Sequence, residues 1–173
     1  TSITGTRLTS VKNATVNGSI QVIETVNSGS NYRGYLPNIR ITTASDNDVI
    51  LSTAGDTTNQ PSSEDDYYNG SSLYIKSGTG LGQLRRIIDY FGATKRAIVN
   101  TNFQTNQTPD NTSTAVLSPT VTIVGDGNGA LAYSNVSNLS VSEIKVVNQG
   151  QQYTKAQDLT DVMKFYEHGI DKI

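Results

Sequence analysis

The chain has 173 residues, 13 basic against 15 acidic side chains, one histidine, and neither cysteine nor tryptophan. That length suits one β-rich domain or two small ones. The near-neutral charge excludes a broad phosphate-neutralising face, and the missing cysteines exclude disulfides, thiol catalysis and thiolate metal sites. Thr, Ser and Asn number 22, 18 and 16, so the polar surface is made of short uncharged groups that favour strands, turns and caps over helices. No apolar run approaches the ~20 residues that cross a bilayer, and no signal-peptide pattern occurs. The chain opens on Thr1 and its single methionine is Met163, which predicts a processed product or a piece of a longer chain.

Residues 1–44 are expected to form a first β unit. The pair Asn17-Gly18 marks a hairpin tip ahead of Ile20, Val22, Ile23 and Val26, and Ile39 and Ile41 alternate in a half-buried strand entered by Pro37. Residues 45–71 read as a long polar acidic loop, with Val49–Leu51 as a short strand inside it. Residues 72–103 read as three strands: one through Leu73 and Ile75, one through Leu84–Tyr90, and one through Arg96–Val99. The turns Gly78–Gly82 and Gly92-Ala93-Thr94 join them. Residues 104–118 read as a second polar loop. Residues 119–157 form a second β unit, with Val121 and Ile123 alternating before the turn Gly125–Gly129, then strands over Ala130–Val136 and Val141–Val147. Near the C-terminus Leu159, Val162, Met163 and Tyr166 fall at i, i+3, i+4 and i+7, which predicts one short helix over 158–169 closed by Gly169. The expected fold is mainly β: sandwich-like antiparallel sheets with long polar loops and this one helix.

Residues Ile20–Tyr32 and Val141–Tyr153 align without a gap at an offset of 121. Ile23, Val26, Asn27, Gly29 and Tyr32 match Ile144, Val147, Asn148, Gly150 and Tyr153. The pattern is a strand ending at Asn, a turn through Gly and a tyrosine folding back, which predicts a duplicated small β unit with positive φ at both glycines. Pro37–Ile41 and Pro119–Ile123 extend the echo.

Chemistry-bearing constellations are sparse. Gly78-Thr79-Gly80-Leu81-Gly82 lacks the Gly-Lys-Ser/Thr ending and the helix of a phosphate loop, and reads as a glycine-rich turn. Gly125-Asp126-Gly127-Asn128-Gly129 lacks the third ligand and distant glutamate of a calcium loop. The carboxylates Glu64, Asp65, Asp66 and Asp89 could form a hydrolytic pair, but the chain has no tryptophan for a platform and the first three sit in a polar loop. His168, beside Gly169, reads as a helix-end interaction. Seven Asn-x-Ser/Thr sequons follow from composition alone. Neither a metal nor a cofactor is expected.

Two segments resemble modules of tailed-bacteriophage structural proteins. One runs from Tyr68-Asn69-Gly70 through Leu73–Gln83 to Arg86–Tyr90 and Thr94-Lys95. The other runs from Pro119–Ala130 through Ile144–Asn148 to Gly150 and Tyr153. Their order resembles a baseplate wedge subunit of contractile-tailed phages of the T-even or cyanophage kind. The resemblance implies a non-enzymatic structural subunit of the virion tail, assembled in the host cytoplasm. Its partners would be other tail or baseplate proteins and further copies of itself, with no nucleic acid and no membrane. A receptor- or glycan-binding module of a tail fibre is the alternative. The expected interface residues are Glu64, Asp65, Asp66, Arg85, Arg86 and the helix face Leu159, Val162, Met163 and Tyr166; core packing is the rival reading for that face.

Overall fold

The computed structural model of the chain describes residues 9–10, 15–16, 18–25, 27–54 and 60–153. Twelve strands occur among them, in the order β1 (Thr9–Ser10), β2 (Thr15–Val16), β3 (Ser19–Ile20), β4 (Glu24–Thr25), β5 (Leu36–Ser45) and β6 (Asp48–Leu51), then β7 (Ser72–Ser77), β8 (Leu84–Phe91), β9 (Arg96–Val99), β10 (Thr114–Ser118), β11 (Asn128–Ser137) and β12 (Ser140–Gln151). The chain divides into two compact units: Arg33–Val121, and the flanking Thr1–Tyr32 with Thr122–Ile173.

The first of these units is a closed barrel. Its strands run in the order β10-β5-β6-β9-β8-β7, every neighbour antiparallel, and β7 pairs with β10 to complete the ring. Closure leaves no edge strand among the six. The interior follows from alternation. Ile39 and Ile41 on β5, Val49 and Leu51 on β6, Leu73 and Ile75 on β7, Ala97 and Val99 on β9, and Ala115 and Leu117 on β10 all point inward and are almost fully buried. Each Val, Leu or Ile buried there contributes about 1.5–3 kcal/mol. Strand β8 breaks the period: a register shift between Ile87 and Asp89 adds a residue, so the inward side chains are Ile87 and Tyr90, and Ile88 stands outside at 53% exposure.

Two packed sheets were expected over this region; the strands instead close on one another, because β10 bonds β5 and β7 at once. The polar stretch 104–118 was expected to be loop throughout, yet it contains β10. Its flanking Asn, Thr and Gln mask the apolar triplet Ala115-Val116-Leu117, all of it buried. Conversely, the alternation Val121/Ile123 forms no strand, with only an isolated bridge at Thr120. The expected helix over 158–169 lies outside the described residues.

The flanking unit consists of hairpins. Strands β2 and β3 pair with Val16 opposite Ser19, β1 pairs with β4, and β11 pairs with β12 with Ser137 opposite Ser140. For Ile20–Tyr32 and Val141–Tyr153 the duplication seen in the sequence is a duplication of structure, whereas Pro37–Ile41 lies in β5 and Pro119–Ile123 forms no strand, so the echo does not extend to them. Val16 pairs with Ser19 as Ser137 pairs with Ser140, 121 residues further on. Gly18 (φ 77°) and Leu139 (φ 60°), each just before the second residue of its pair, are both left-handed. The tails match as well: Asn27 Oδ1 accepts from Gly29 N–H at 2.9 Å and Asn148 Oδ1 from Gly150 N–H at 2.9 Å, with Gly29 and Gly150 at φ 61° and 63° and Asn31 and Gln152 both at 64°.

Candidate functional site

The acidic triplet sits on a turn that is fastened to the β8–β9 hairpin. Asp66 N–H donates to Tyr90 O at 2.8 Å and Gly70 N–H to Ile87 O at 2.8 Å, so this segment runs alongside β8. Asp65 Oδ1 accepts from Gly92 N–H at 2.8 Å, and Asp66 Oδ1 from Asn69 Nδ2 at 2.8 Å. Gly92 is required because a Cβ there would enter the backbone of Ser63 and Glu64. Below the turn, Tyr68 and Tyr90 meet edge-to-face at 4.7 Å, and Tyr90 Oη donates to Ser62 O at 2.7 Å. Burial raises the pKa of both phenols.

Lys95 completes this cluster. Its ammonium donates to Ser62 O (3.1 Å), Ser63 Oγ (2.7 Å) and Gly92 O (2.8 Å). A lysine that gives all three protons to oxygens has no lone pair with which to activate the Ser63 hydroxyl, so this pair is a brace and not a nucleophile–base dyad. Asp65 and Asp66 are likewise engaged as acceptors for N–H groups, and Asp89 Oδ1 accepts from Tyr90 N–H at 3.0 Å.

The basic pair divides inside and outside. Arg85 lies opposite Leu73 and turns its guanidinium onto Thr101 O, Asn102 O, Leu84 O and Gln83 Oε1, the last at 2.7 Å, with its Cζ 5.5 Å from the Phe103 ring centroid. Burial lowers its pKa. Gln83 is itself buried, donating to Gln107 O at 2.7 Å and accepting from Gln104 N–H at 2.9 Å. Together the two side chains hold the loop 101–107 against the barrel. Arg86 is exposed, and its backbone N–H donates to Asn100 Oδ1 at 2.9 Å.

The glycine-rich turn packs against the loop that carries Asp110 and Thr112. A Cβ at Gly78 would strike the Thr112 carbonyl. Asp110 bridges the two segments, accepting from Thr79 Oγ1 at 2.9 Å, Thr112 Oγ1 at 2.6 Å and Thr112 N–H at 2.9 Å. Chiefly through the Thr112 hydroxyl, this holds the Asp110 carboxyl below the usual carboxylate range. The Gly125–Gly129 run has a different purpose. A Cβ at Gly125, Gly127 or Gly150 would meet the ring of Tyr153 at 3.0, 2.5 or 2.8 Å, so that buried ring lies on a bed of three glycines. Among the described residues no cluster of three or more His, Cys, Asp or Glu could hold a metal ion.

Sequence reasoning missed one surface. On the outside of the barrel, Phe91 lies opposite Arg96, and Arg96 opposite Ile50; one row along, Asp89 lies opposite Ile98 and Ile98 opposite Asp48. Arg96 Nε pairs with Asp48 Oδ2 at 2.5 Å, and its Cζ stands 5.4 Å from the Phe91 centroid. Phe91 and the bulged Ile88 are exposed at 37% and 53%. An aromatic, an arginine and aliphatic side chains on one sheet face are the composition enriched at protein interfaces. The signal was present in the doublets Ile87-Ile88 and Tyr90-Phe91, but it shows only once the bulge assigns one member of each to the outside. Of the expected interface residues, Glu64, Asp65, Asp66 and Arg86 are exposed and Arg85 is half-buried in its own chain; Leu159, Val162, Met163 and Tyr166 lie outside the described residues.

No family model, curated protein or solved structure matches this chain.

Proposed function

We propose that the chain is a non-enzymatic structural subunit of a phage virion, a baseplate wedge component of a contractile tail that docks neighbouring tail proteins and copies of itself. The observation that carries this reading is the distribution of polar side chains. Asp65, Asp66, Gln83, Arg85, Lys95 and Asp110 all bond to backbone or neighbouring side chains of the same unit, fixing loops instead of presenting reactive groups. Outside this braced frame, Ile88 and Phe91 with Arg96 offer apolar anchors beside a half-exposed ion pair, and Glu64 and Arg86 supply rim charges. Within the virion the chain would be assembled in the host cytoplasm, in a symmetric array.

Sedimentation of the purified chain across a concentration series tests it. Mass that rises with concentration supports self-association; one monomer mass throughout removes that part, and failure to bind purified tail subunits removes the remainder. A second reading, a glycan-binding module of a tail fibre, is favoured by Tyr67. This residue is 36% exposed, and its ring stands edge-on to Tyr68 at 5.0 Å, next to Asp66 in sequence. Retention on a glycan array, lost in Tyr67→Ala, would select it.

A further inference from the structure

The two repeats of the hairpin unit hold each other reciprocally. Tyr32 N–H donates to Leu139 O at 3.0 Å, and Tyr153 N–H donates to Gly18 O at 3.0 Å. Tyr32 and Tyr153 are equivalent positions, and so are Gly18 and Leu139, since each pair is separated by 121. Each repeat is thus a plug and a socket: its tail (27–32 or 148–153) seats on the turn end of the other hairpin. A further bond from Val141 N–H to Ser28 O at 2.9 Å continues one of the two contacts.

We propose that the same joint links copies of this chain, the second repeat of one copy (125–153) seating on the first repeat (18–32) of the next. The tail, the hairpin and the glycine bed under Tyr153 all belong to the second repeat, so they move together. Pairing within a chain and pairing between chains therefore make the same bonds, and differ only in the connecting link and in concentration. That link is short. The barrel unit ends at Val121, the glycine bed starts at Gly125, and of the intervening Thr122–Val124, Val124 is 68% exposed. Short hinges favour exchange of an element between copies, and added strands are held mainly by main-chain bonds, which any copy supplies. Reciprocal exchange closes a pair; one-way exchange builds a ring or a filament. The inference rests on the self-association part of the function proposed above.

The absence of native cysteine makes the test direct. Ser30 lies between Ser28 and Tyr32, and Ser140 between Leu139 and Val141, the four residues whose backbones bond across the joint; the equivalent positions in the other contact are Gln151 and Ser19. Full-length chains carrying S30C and S140C separately, with different tags, are refolded together, oxidised and run without reductant. The S19C and Q151C pair is treated alike, and S30C mixed with T105C on the barrel controls for random collision. The double variants S30C/S140C and S19C/Q151C report whether the positions meet within one chain. The expected result is a mixed disulfide between copies whose fraction of the chains rises about tenfold for a tenfold rise in concentration at low occupancy and exceeds the collision control. Its absence for both pairs overturns the joint, whether or not the double variants close internally. Sedimentation of the same samples then separates the cases: a rising mass leaves self-association standing through another face, whereas a constant monomer mass sinks both.

Discussion

The barrel and the hairpin unit use the same raw material, short antiparallel strands joined by tight turns, and stabilise it in different ways. The barrel encloses a single apolar cluster of fifteen buried residues, and its ring of backbone bonds has no free edge. The hairpin unit buries few apolar side chains among its described residues: Ile20, Ile23, Ala132 and Tyr153. It relies on reciprocal main-chain bonds between repeats and on one ring laid over glycines. A two-stranded hairpin is at best marginal by itself, so each repeat needs the other, whereas the barrel needs only itself. Dependence on a partner repeat is what makes the hairpin unit the natural place for exchange between copies.

That contrast can be broken by matched substitutions. Leu73→Ala in the barrel is expected to cost about 2–5 kcal/mol, and Ile144→Ala in the hairpin unit at most about 1 kcal/mol, because Ile144 is only half-buried. Urea unfolding measures both, and equal losses would mean the hairpin unit has a core of its own. Next in size are two glycines. Gly78→Ala forces a Cβ onto Thr112 at φ 76°, and Gly127→Ala forces one into the Tyr153 ring; each should cost about 1–3 kcal/mol. Only the second should weaken the joint between repeats, which the S30C/S140C disulfide yield reports.

Alkaline titration probes the buried phenols of the barrel. Tyr68 and Tyr90 have folded pKa values raised by burial above the ordinary value of 10.0. Their contribution is complete below pH 10 and is lost as the pH rises beyond it, when the unfolded chain ionises and the folded barrel resists. Phenolate absorbance should therefore show a late component coincident with loss of β structure, reduced in Tyr90→Phe. The smallest effect is expected at Asp110. Its pKa is depressed, so its contribution is present above the ordinary carboxylate range and fades as the pH falls through the folded value. Asp110→Asn should flatten that acid limb with little change at neutral pH, as read by melting temperature.

The parts of this architecture that were legible in the sequence are local. Ile39/Ile41 and Leu73/Ile75 announce strands by alternation, Gly92-Ala93-Thr94 announces a hairpin, and five identities announce the repeat. The repeat reaches beyond those identities: the structure carries the match back to the paired turns, where Asn17/Asn138 and Ser19/Ser140 are also identical. Closure of the barrel was illegible because it depends on Leu36 finding Leu117, a pairing no local period encodes. Parity along a strand says that Arg85 and Arg86 face opposite ways, but not which one turns inward; that is decided by the 101–107 backbone, which offers carbonyls to Arg85. The Gly125–Gly129 run reads as a turn or half a calcium loop, and its real reason, a tyrosine from 24 residues downstream, leaves no trace in the motif itself.

The insertion of a whole barrel between two halves of a paired unit also sets an order in time. Strands β5 to β10 are complete once Ser118 has been synthesised, so the barrel can form while the remainder of the chain is still being made. Tyr32 must wait for Leu139. At about 5–20 residues per second, the first repeat spends roughly 5–20 s without its partner. During that interval every nascent chain on the same message displays an unfilled socket, and the nearest second repeat can belong to the ribosome ahead.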